Sequence, residues 1–592
     1  MKNKMNTSRW SPLLKHMFAS ILVFGIANAS LSTQAANHVN EGAAIIRYDT
    51  IHHPVIGKNG MVSSQRMLAS KIGADILRQG GNAVDAAVAT GIALAVTLPR
   101  AGNLGGGGFM LIHLAKQSKT IAIDYREMAP KKAHRDMFLD GDGNVDNRKA
   151  QFSHQSSGVP GTVAGLSHAL EKYGTMSWKQ VVAPAIEIAE QGILVSYDLS
   201  ENLKSRHAWL TANSATKKAY YKKNGVPYEP GEILVQPDLA WSLKRLAAHG
   251  PSEFYQGEIA KKIVADMQAN GGLISFEDLA SYRVAEREAI TTSYRGYTVA
   301  SMPPTSSGGI HIAQMLNILE HFPLKQMGAG SADATHLLSE VMKLAYADRA
   351  EHLGDPDHFN VPVKGLTSKA YAKQLANNIS LSKAMASKDI KPGNPAPYES
   401  PDTTHFSVMD SQGNAVSNTY TLNFSYGSGI VIPGTGILMN NEMDDFSSKP
   451  GVPNAFGLVG GEANAIAPTK RPLSSMTPTM IFKDDKPYVV TGSPGGSRII
   501  TTVLQVLINV MDHEMNIAAA VNAPRVHHQW LPDQLELEPG YSPDTIKLLK
   551  AKGQNVKSGK TMGSVQSIMY KNGLFYGASD PRRPDAGTVA VQ

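Results

Sequence analysis

The sequence predicts a layered α/β protein, and three observations predict it. Helical apolar spacing dominates the first two-thirds of the chain, period-two alternation sets in abruptly after Thr403, and a strong helix pattern, "SRIITTVLQVLINVMDHEM", lies among those later strands. At 592 residues the chain exceeds what one simple core organises, so two lobes or one large composite domain are expected. Hydrophobic residues make up 42% and charged residues 18%, as in ordinary globular proteins, and 53 Gly with 33 Pro point to many turns.

Residues 1–36 carry Lys2, Lys4, Arg9 and Lys15, then the apolar run Met17–Ala27, then small residues around Ala29 and Ala35. That three-part pattern predicts a secretory signal peptide, too short in its apolar run for a spanning helix, and a mature protein exported to the periplasm or secreted without a stable membrane anchor. The segment holds four basic residues and no acidic one, so its removal lowers the formal net charge from +7 to +3. A mature chain with that small excess and no dense Lys/Arg block is not built for nucleic acid. The absence of Cys excludes disulfides, a thiol nucleophile and thiolate metal sites together, leaving chemistry to oxygen and nitrogen.

From Ser63 to Leu98 the spacing is helical, broken by Gly80-Gly81-Asn82, which predicts two packed helices. "NLGGGGFMLIHL" feeds a strand, and Thr120–Tyr125 alternates as a second strand ending at Arg126. Residues 155–350 read as mostly helical scaffold, and 380–402, rich in Lys, Pro and Ser, as a linker. Beyond it come "THFSVMD" and "AVSNTYTLNF" around Ser411–Asn414, then "TPTMIFKDDKPYVVTGS", then "SIMYKNGLFYGAS" with an Asn-Gly hairpin turn. The second half of the core is therefore Thr403–Gln592.

Several familiar motifs fail. "NLGGGGF" lacks the Lys-Ser/Thr of a phosphate loop, adjacent His52-His53 and His527-His528 point to opposite faces of a strand, and "HEMNI" lacks the second zincin histidine. No catalytic metal and no cofactor are expected. Thr403 fits a different chemistry. A threonine made N-terminal by chain cleavage carries its own base, since the free α-amine can take the hydroxyl proton, and the linker upstream and strand downstream suit such a cut. "TGSPGGSRIITT" offers backbone N–H groups at a helix start, as an oxyanion requires, and Ser474-Ser475 in "KRPLSSMTPTM" offer donors for a carboxylate.

Taken together, "AGNLGGGGFMLIHL", "DYREMAP", "TTHFSVMD", "TYTLNFSYGSGI", "ILMNNEMDDFSSKPGVPNAFGLVGG", "KRPLSSMTPTM" and "TGSPGGSRIITT" closely resemble the γ-glutamyltranspeptidases (glutathione hydrolases), from about residue 40 to the C-terminus, with bacterial periplasmic members nearest in pattern. The resemblance implies an N-terminal nucleophile hydrolase αββα sandwich, built from a large subunit (37–402) and a small subunit (403–592) that are cut from one precursor between Asp402 and Thr403 and stay together as a heterodimer. It implies that Thr403 attacks γ-glutamyl amides such as glutathione and passes the acyl group to water, amino acids or peptides. By the same resemblance Thr421 hydrogen-bonds the nucleophile and Gly495 and Gly496 form the oxyanion hole. Arg126 pairs with the substrate α-carboxylate, aided by Ser474 and Ser475, while Asn423, Glu442 and Asp445 hold its α-ammonium.

Two positions depart from some relatives: Glu442 stands where they carry Gln, and Phe456 where they carry Tyr, which predicts a looser lid over 450–461. Two competing readings are a sister acylase that removes glutaryl side chains from β-lactam nuclei, and a non-catalytic periplasmic binder of amino acids or peptides.

Overall fold

The computed structural model describes residues 50–391, 393, 403–449 and 461–592, with position 403 described by its backbone. The signal segment, Asp402 and the lid residues 450–460 lie outside the described residues. Two seven-stranded sheets form the centre. One runs edge to edge as Gly587–Val591, Gly60–Ser64, Thr403–Asp410, Ala415–Thr421, Gly107–Leu114, Lys119–Tyr125 and Ala285–Glu288. The other runs as Val55–Gly57, Leu574–Ser579, Gln566–Lys571, Lys486–Thr491, Thr479–Lys483, Tyr297–Ser301 and Ile290–Tyr294. Every ladder within them is antiparallel, and each sheet takes strands from both sides of residue 403.

The alternation of side chains explains the layering. In the first sheet Phe109, Leu111 and Met409 join the core shared with the second sheet, while Met110, Ile112, Phe406 and Val408 pack with helices Met67–Arg78 and Ala83–Thr97. Hydrogen bonds cross between the sheets, from Ser407 Oγ to the Gln566 carbonyl (2.9 Å) and from Ser417 Oγ to the Thr491 carbonyl (3.0 Å). Helix Gly308–Leu319 backs the second sheet, and helices Ala332–His352 and Arg498–Met511 pack against it. The order is helix, sheet, sheet, helix, the predicted αββα sandwich.

Local signals explain the boundaries. Asn82 caps the second helix through the Val84 and Asp85 N–H groups, and Asp85 accepts from the Asn82 N–H in return. Asn572 and Gly573 both have positive φ, as the Asn-Gly hairpin turn requires. Residues 155–350 are mostly helical, as expected, but Ala285–Glu288, Ile290–Tyr294 and Tyr297–Ser301 are strands that the sequence reading did not single out. The first two are edge strands with few apolar residues, so they carry little of the periodic signal that a strand reading relies on. The start of the linker is also packed rather than loose: Ser387 is buried and its N–H donates to Asp533 (2.9 Å). Among the described residues no helix is long and apolar enough to cross a membrane.

Candidate active site

The site forms at one end of the first sheet, where three strands meet. Thr403 is directly opposed to Thr421, and Thr421 in turn to Gly107. Beyond Thr421 the chain turns at Asn423, a non-glycine residue at φ +72°, whose N–H donates to Thr421 Oγ1 at 2.8 Å. The Thr421 carbonyl accepts from Asn103 Nδ2 at 2.8 Å. Gly106 passes so close that a Cβ there would lie 1.9 Å from the Thr421 carbonyl oxygen. This contact accounts for the glycine run of "NLGGGGF", which serves close backbone approach rather than phosphate binding.

Arg126, the first residue after strand Lys119–Tyr125, is 1% exposed. Its backbone is fixed on both sides: its N–H donates to Asp124 Oδ1 (3.0 Å), and its carbonyl accepts from the Tyr282 hydroxyl (2.9 Å). One prong of the guanidinium donates to Glu442 and the other to Asp445. The Nε–H donates to the Pro472 carbonyl (3.1 Å), and an Nη2–H also reaches the Leu473 carbonyl (3.3 Å). Glu442 and Asp445 open and close a single 3₁₀ turn, whose i, i+3 spacing sets both carboxylates on one side. The two prongs that the sequence reading assigns to a substrate carboxylate are thus engaged by the residues it assigns to the substrate ammonium.

Buried carboxylates crowd this arginine: Glu127 and Asp445 each lie within hydrogen-bonding reach of Glu442, and neighbouring Asp444 within reach of Asn423. Burial by itself would lower the Arg126 pKa, but Glu442, Asp445 and Glu127 raise it above its usual range, so the guanidinium stays charged. Burial, reinforced by the charge of Glu442, pushes the Glu127 carboxyl well above its usual range, and burial raises the Glu442 and Asp445 carboxyls as well, against the pull of Arg126. Burial also raises Asp444 to about 7, against the hydrogen bond its Oδ1 accepts from Gln151 Nε2 (3.2 Å). Asn423 Nδ2 donates to the Asn441 carbonyl (3.0 Å), which ties the turn after Thr421 to the acidic turn.

The remaining expected residues flank these. Ser474 and Ser475 follow directly on the carbonyls that hold Arg126 and are buried. Ser474 Oγ accepts from the Met476 N–H (3.1 Å), and Ser475 Oγ accepts from Arg349 (3.0 Å). Gly495 and Gly496, at φ +134° and +63°, turn the chain into helix Arg498–Met511. Neither of their N–H groups donates to another backbone carbonyl among the described residues. Gly492, which leads into that turn, packs so tightly on the His405 ring that a Cβ would lie 2.5 Å from it, so the turn lies beside the strand that begins at Thr403.

Sequence reasoning missed Glu127, Asp444 and Asn103. Glu127 and Asp444 stand beside named residues in "DYREMAP" and "NNEMDDF", and that adjacency was the available signal. Asn103 lay within the glycine block and gave none.

The Gamma-glutamyltranspeptidase family model matches residues 69–590. The "Glutathione hydrolase proenzyme" of Escherichia coli (strain K12) is 56% identical over 573 residues, covering 97% of this chain and 98% of the relative. Among solved structures, the cephalosporin acylase from Bacillus halodurans superposes with a TM-score of 0.83 at 28% identity, covering 93% of this chain and 99% of that one. Helicobacter pylori gamma-glutamyltranspeptidase superposes with a TM-score of 0.55 at 44% identity, covering 59% of this chain and 97% of that one.

Proposed function

This chain belongs to the γ-glutamyltranspeptidase family, and on that premise we propose how its own residues carry out the family's acyl transfer. It is an enzyme that cleaves γ-glutamyl amide bonds, as a glutathione hydrolase and γ-glutamyltransferase. The precursor is cut between Asp402 and Thr403, after export directed by residues 1–36, into a large subunit of 37–402 and a small one of 403–592. These stay together because both sheets draw strands from each piece. Cleavage begins with Thr403 Oγ attacking the Asp402 carbonyl; the Asp402–Thr403 C–N bond breaks, freeing the Thr403 α-amine, and water hydrolyses the resulting ester to release the Asp402 carboxylate and the Thr403 hydroxyl.

In the processed enzyme Thr403 Oγ attacks the γ-carbonyl of the substrate and its proton passes to the α-amine. The amide bond breaks, the leaving amine departs protonated, and a γ-glutamyl ester remains on Thr403. Water or an acceptor amine then attacks that ester and releases Thr403. Thr421 orients the nucleophile, since directly opposed residues of an antiparallel pair share a face. The Gly495 and Gly496 N–H groups receive the oxyanion in both steps.

The observation that carries this reading is the buried ion-pair set around Arg126. A substrate α-carboxylate takes the guanidinium fork while the substrate α-ammonium takes Glu442 and Asp445. The zwitterion thereby exchanges the internal contacts of Arg126 with Glu442 and Asp445 for two intermolecular ones, carboxylate to guanidinium and ammonium to the acidic pair. Asn423, Ser474 and Ser475 complete the pocket. The acceptors are amino acids or peptides.

N-terminal sequencing of the small chain, together with turnover of a γ-glutamyl anilide, tests the reading. Thr403 is expected as the first residue, and Thr403→Ala is expected to run as one uncut, inactive chain on a denaturing gel. A small chain that starts elsewhere, or full activity from an intact chain, sinks it.

A further inference from the structure

Helix Ala332–His352 touches three separate pieces of the machinery within two turns. The Tyr346 hydroxyl donates to the Ser497 carbonyl, at the turn that holds Gly495 and Gly496. Arg349 donates to Ser475 Oγ (3.0 Å). Asp348 and His352, one helical turn apart and so on one face, grip a single backbone unit, that of Gly393. Asp348 Oδ1 accepts from the Gly393 N–H (2.7 Å), and His352 Nε2–H donates to the Gly393 carbonyl (2.8 Å).

This grip is built rather than incidental. Asp348 is 1% exposed, and its second oxygen accepts from Gln314 of helix Gly308–Leu319 and from the Tyr371 hydroxyl (2.7 Å) of helix Lys369–Ala376, so three helices fix the carboxylate. Burial lowers His352 to about 3, which keeps the ring neutral, and because its partner is a carbonyl the proton sits on Nε2. A Cβ on Gly393 would lie 1.9 Å from the Tyr371 hydroxyl oxygen, so a side chain there would have to displace the hydroxyl that holds Asp348. A buried carboxylate and a histidine are thereby spent on one residue of the linker, ten positions before Thr403.

We propose that Asp348 and His352 are positioning residues for self-cleavage: they register the chain before the scissile bond against the same rigid helix that holds the Gly495-Gly496 turn and Ser475. The proposal rests on the self-cleavage reading above. Both ends of the segment 394–402 are then anchored, upstream at Gly393 and downstream by the Thr403–Thr421 pairing. Fewer chain conformations compete with the one in which Thr403 Oγ meets the Asp402 carbonyl. After cleavage the grip on Gly393 remains wholly within the large subunit.

The test follows conversion of freshly folded full-length precursor into two chains on denaturing gels, with kcat and KM for a γ-glutamyl anilide measured on the processed fraction. His352→Phe removes the donor to Gly393, and His352→Gln offers an N–H in its place. The expected result is conversion at least threefold slower for His352→Phe, substantial recovery for His352→Gln, and unchanged kcat and KM in all processed fractions. Asp348→Asn is expected to slow conversion likewise. Conversion of His352→Phe at the wild-type rate overturns the proposal, as does slowing matched by an equal fall in turnover. If the wild-type protein yields no chain beginning at Thr403, it is the self-cleavage reading that fails.

Discussion

Arg126 and Asp445 form a buried ion pair across 319 positions of sequence, with Glu442 on the other prong of the same guanidinium. Arg126→Lys keeps the charge but not the two-pronged geometry, and a broken buried pair costs about 3–5 kcal/mol. The expected outcome is a fall in kcat/KM for a γ-glutamyl anilide of roughly 10²-fold or more. Steady-state kinetics on the processed protein check it, and a change within threefold counts against the assigned role.

The proposed ion-pair exchange is expected to discriminate between acyl groups. A glutaryl anilide has a terminal carboxylate but no ammonium, so binding it at Arg126 leaves Glu442 and Asp445 facing no cation. Its kcat/KM is expected to lie roughly 10²–10⁴-fold below that of the γ-glutamyl anilide, because a buried polar site rejects an analogue that leaves its groups unpaired. Comparable rates on the two would favour the acylase reading.

Asp444 is expected to give the pocket a pH dependence. Burial raises its carboxyl to about 7, so it is neutral below that pH and negative above. The substrate ammonium is attracted only to the negative form, so KM for the donor is expected to fall as pH rises from about 6 to about 8. Asp444→Asn removes the titrating group and should flatten this limb. A KM profile with the same slope in wild type and variant would assign the effect elsewhere.

Gly106 faces the Thr421 carbonyl at a distance no side chain fits. Gly106→Ala is expected to destabilise the protein by about 1–3 kcal/mol or more, as overpacking of a rigid contact does. Gly141→Ala, with nothing within 4 Å of an added Cβ, is the control and should stay within about 0.5 kcal/mol. Urea midpoints of the two variants compare them, and equal midpoints would mean that the Asn103–Gly106–Thr421 contact yields easily.

Much of the architecture was legible because local rules and tertiary demands agreed. Asn82 signalled a helix start, Asn572-Gly573 a hairpin, and the alternation after Thr403 a strand, although only the structure shows that strand buried on both faces. The strands between 285 and 301 were not legible, because two of them sit at sheet edges and carry polar residues where alternation would otherwise appear. Arg126 and Asp445 were proposed for the site through motif likeness, whereas Glu127 and Asp444 emerged only from their surroundings.

By itself the sequence determined the candidate nucleophile, the strand that follows it, the glycine turns, and the pool of charged and hydroxyl residues from which a pocket could be made. Those are consequences of residue type and near-neighbour spacing. Only the tertiary structure decided that one arginine would meet Glu442, Asp445 and the 472–473 carbonyls at once, that Asp444 would be raised toward neutrality, and that Gly393 would be gripped from a helix more than forty residues earlier. Such contacts depend on how the layers stack, and charges gain their strength there because burial removes the water that would otherwise screen them.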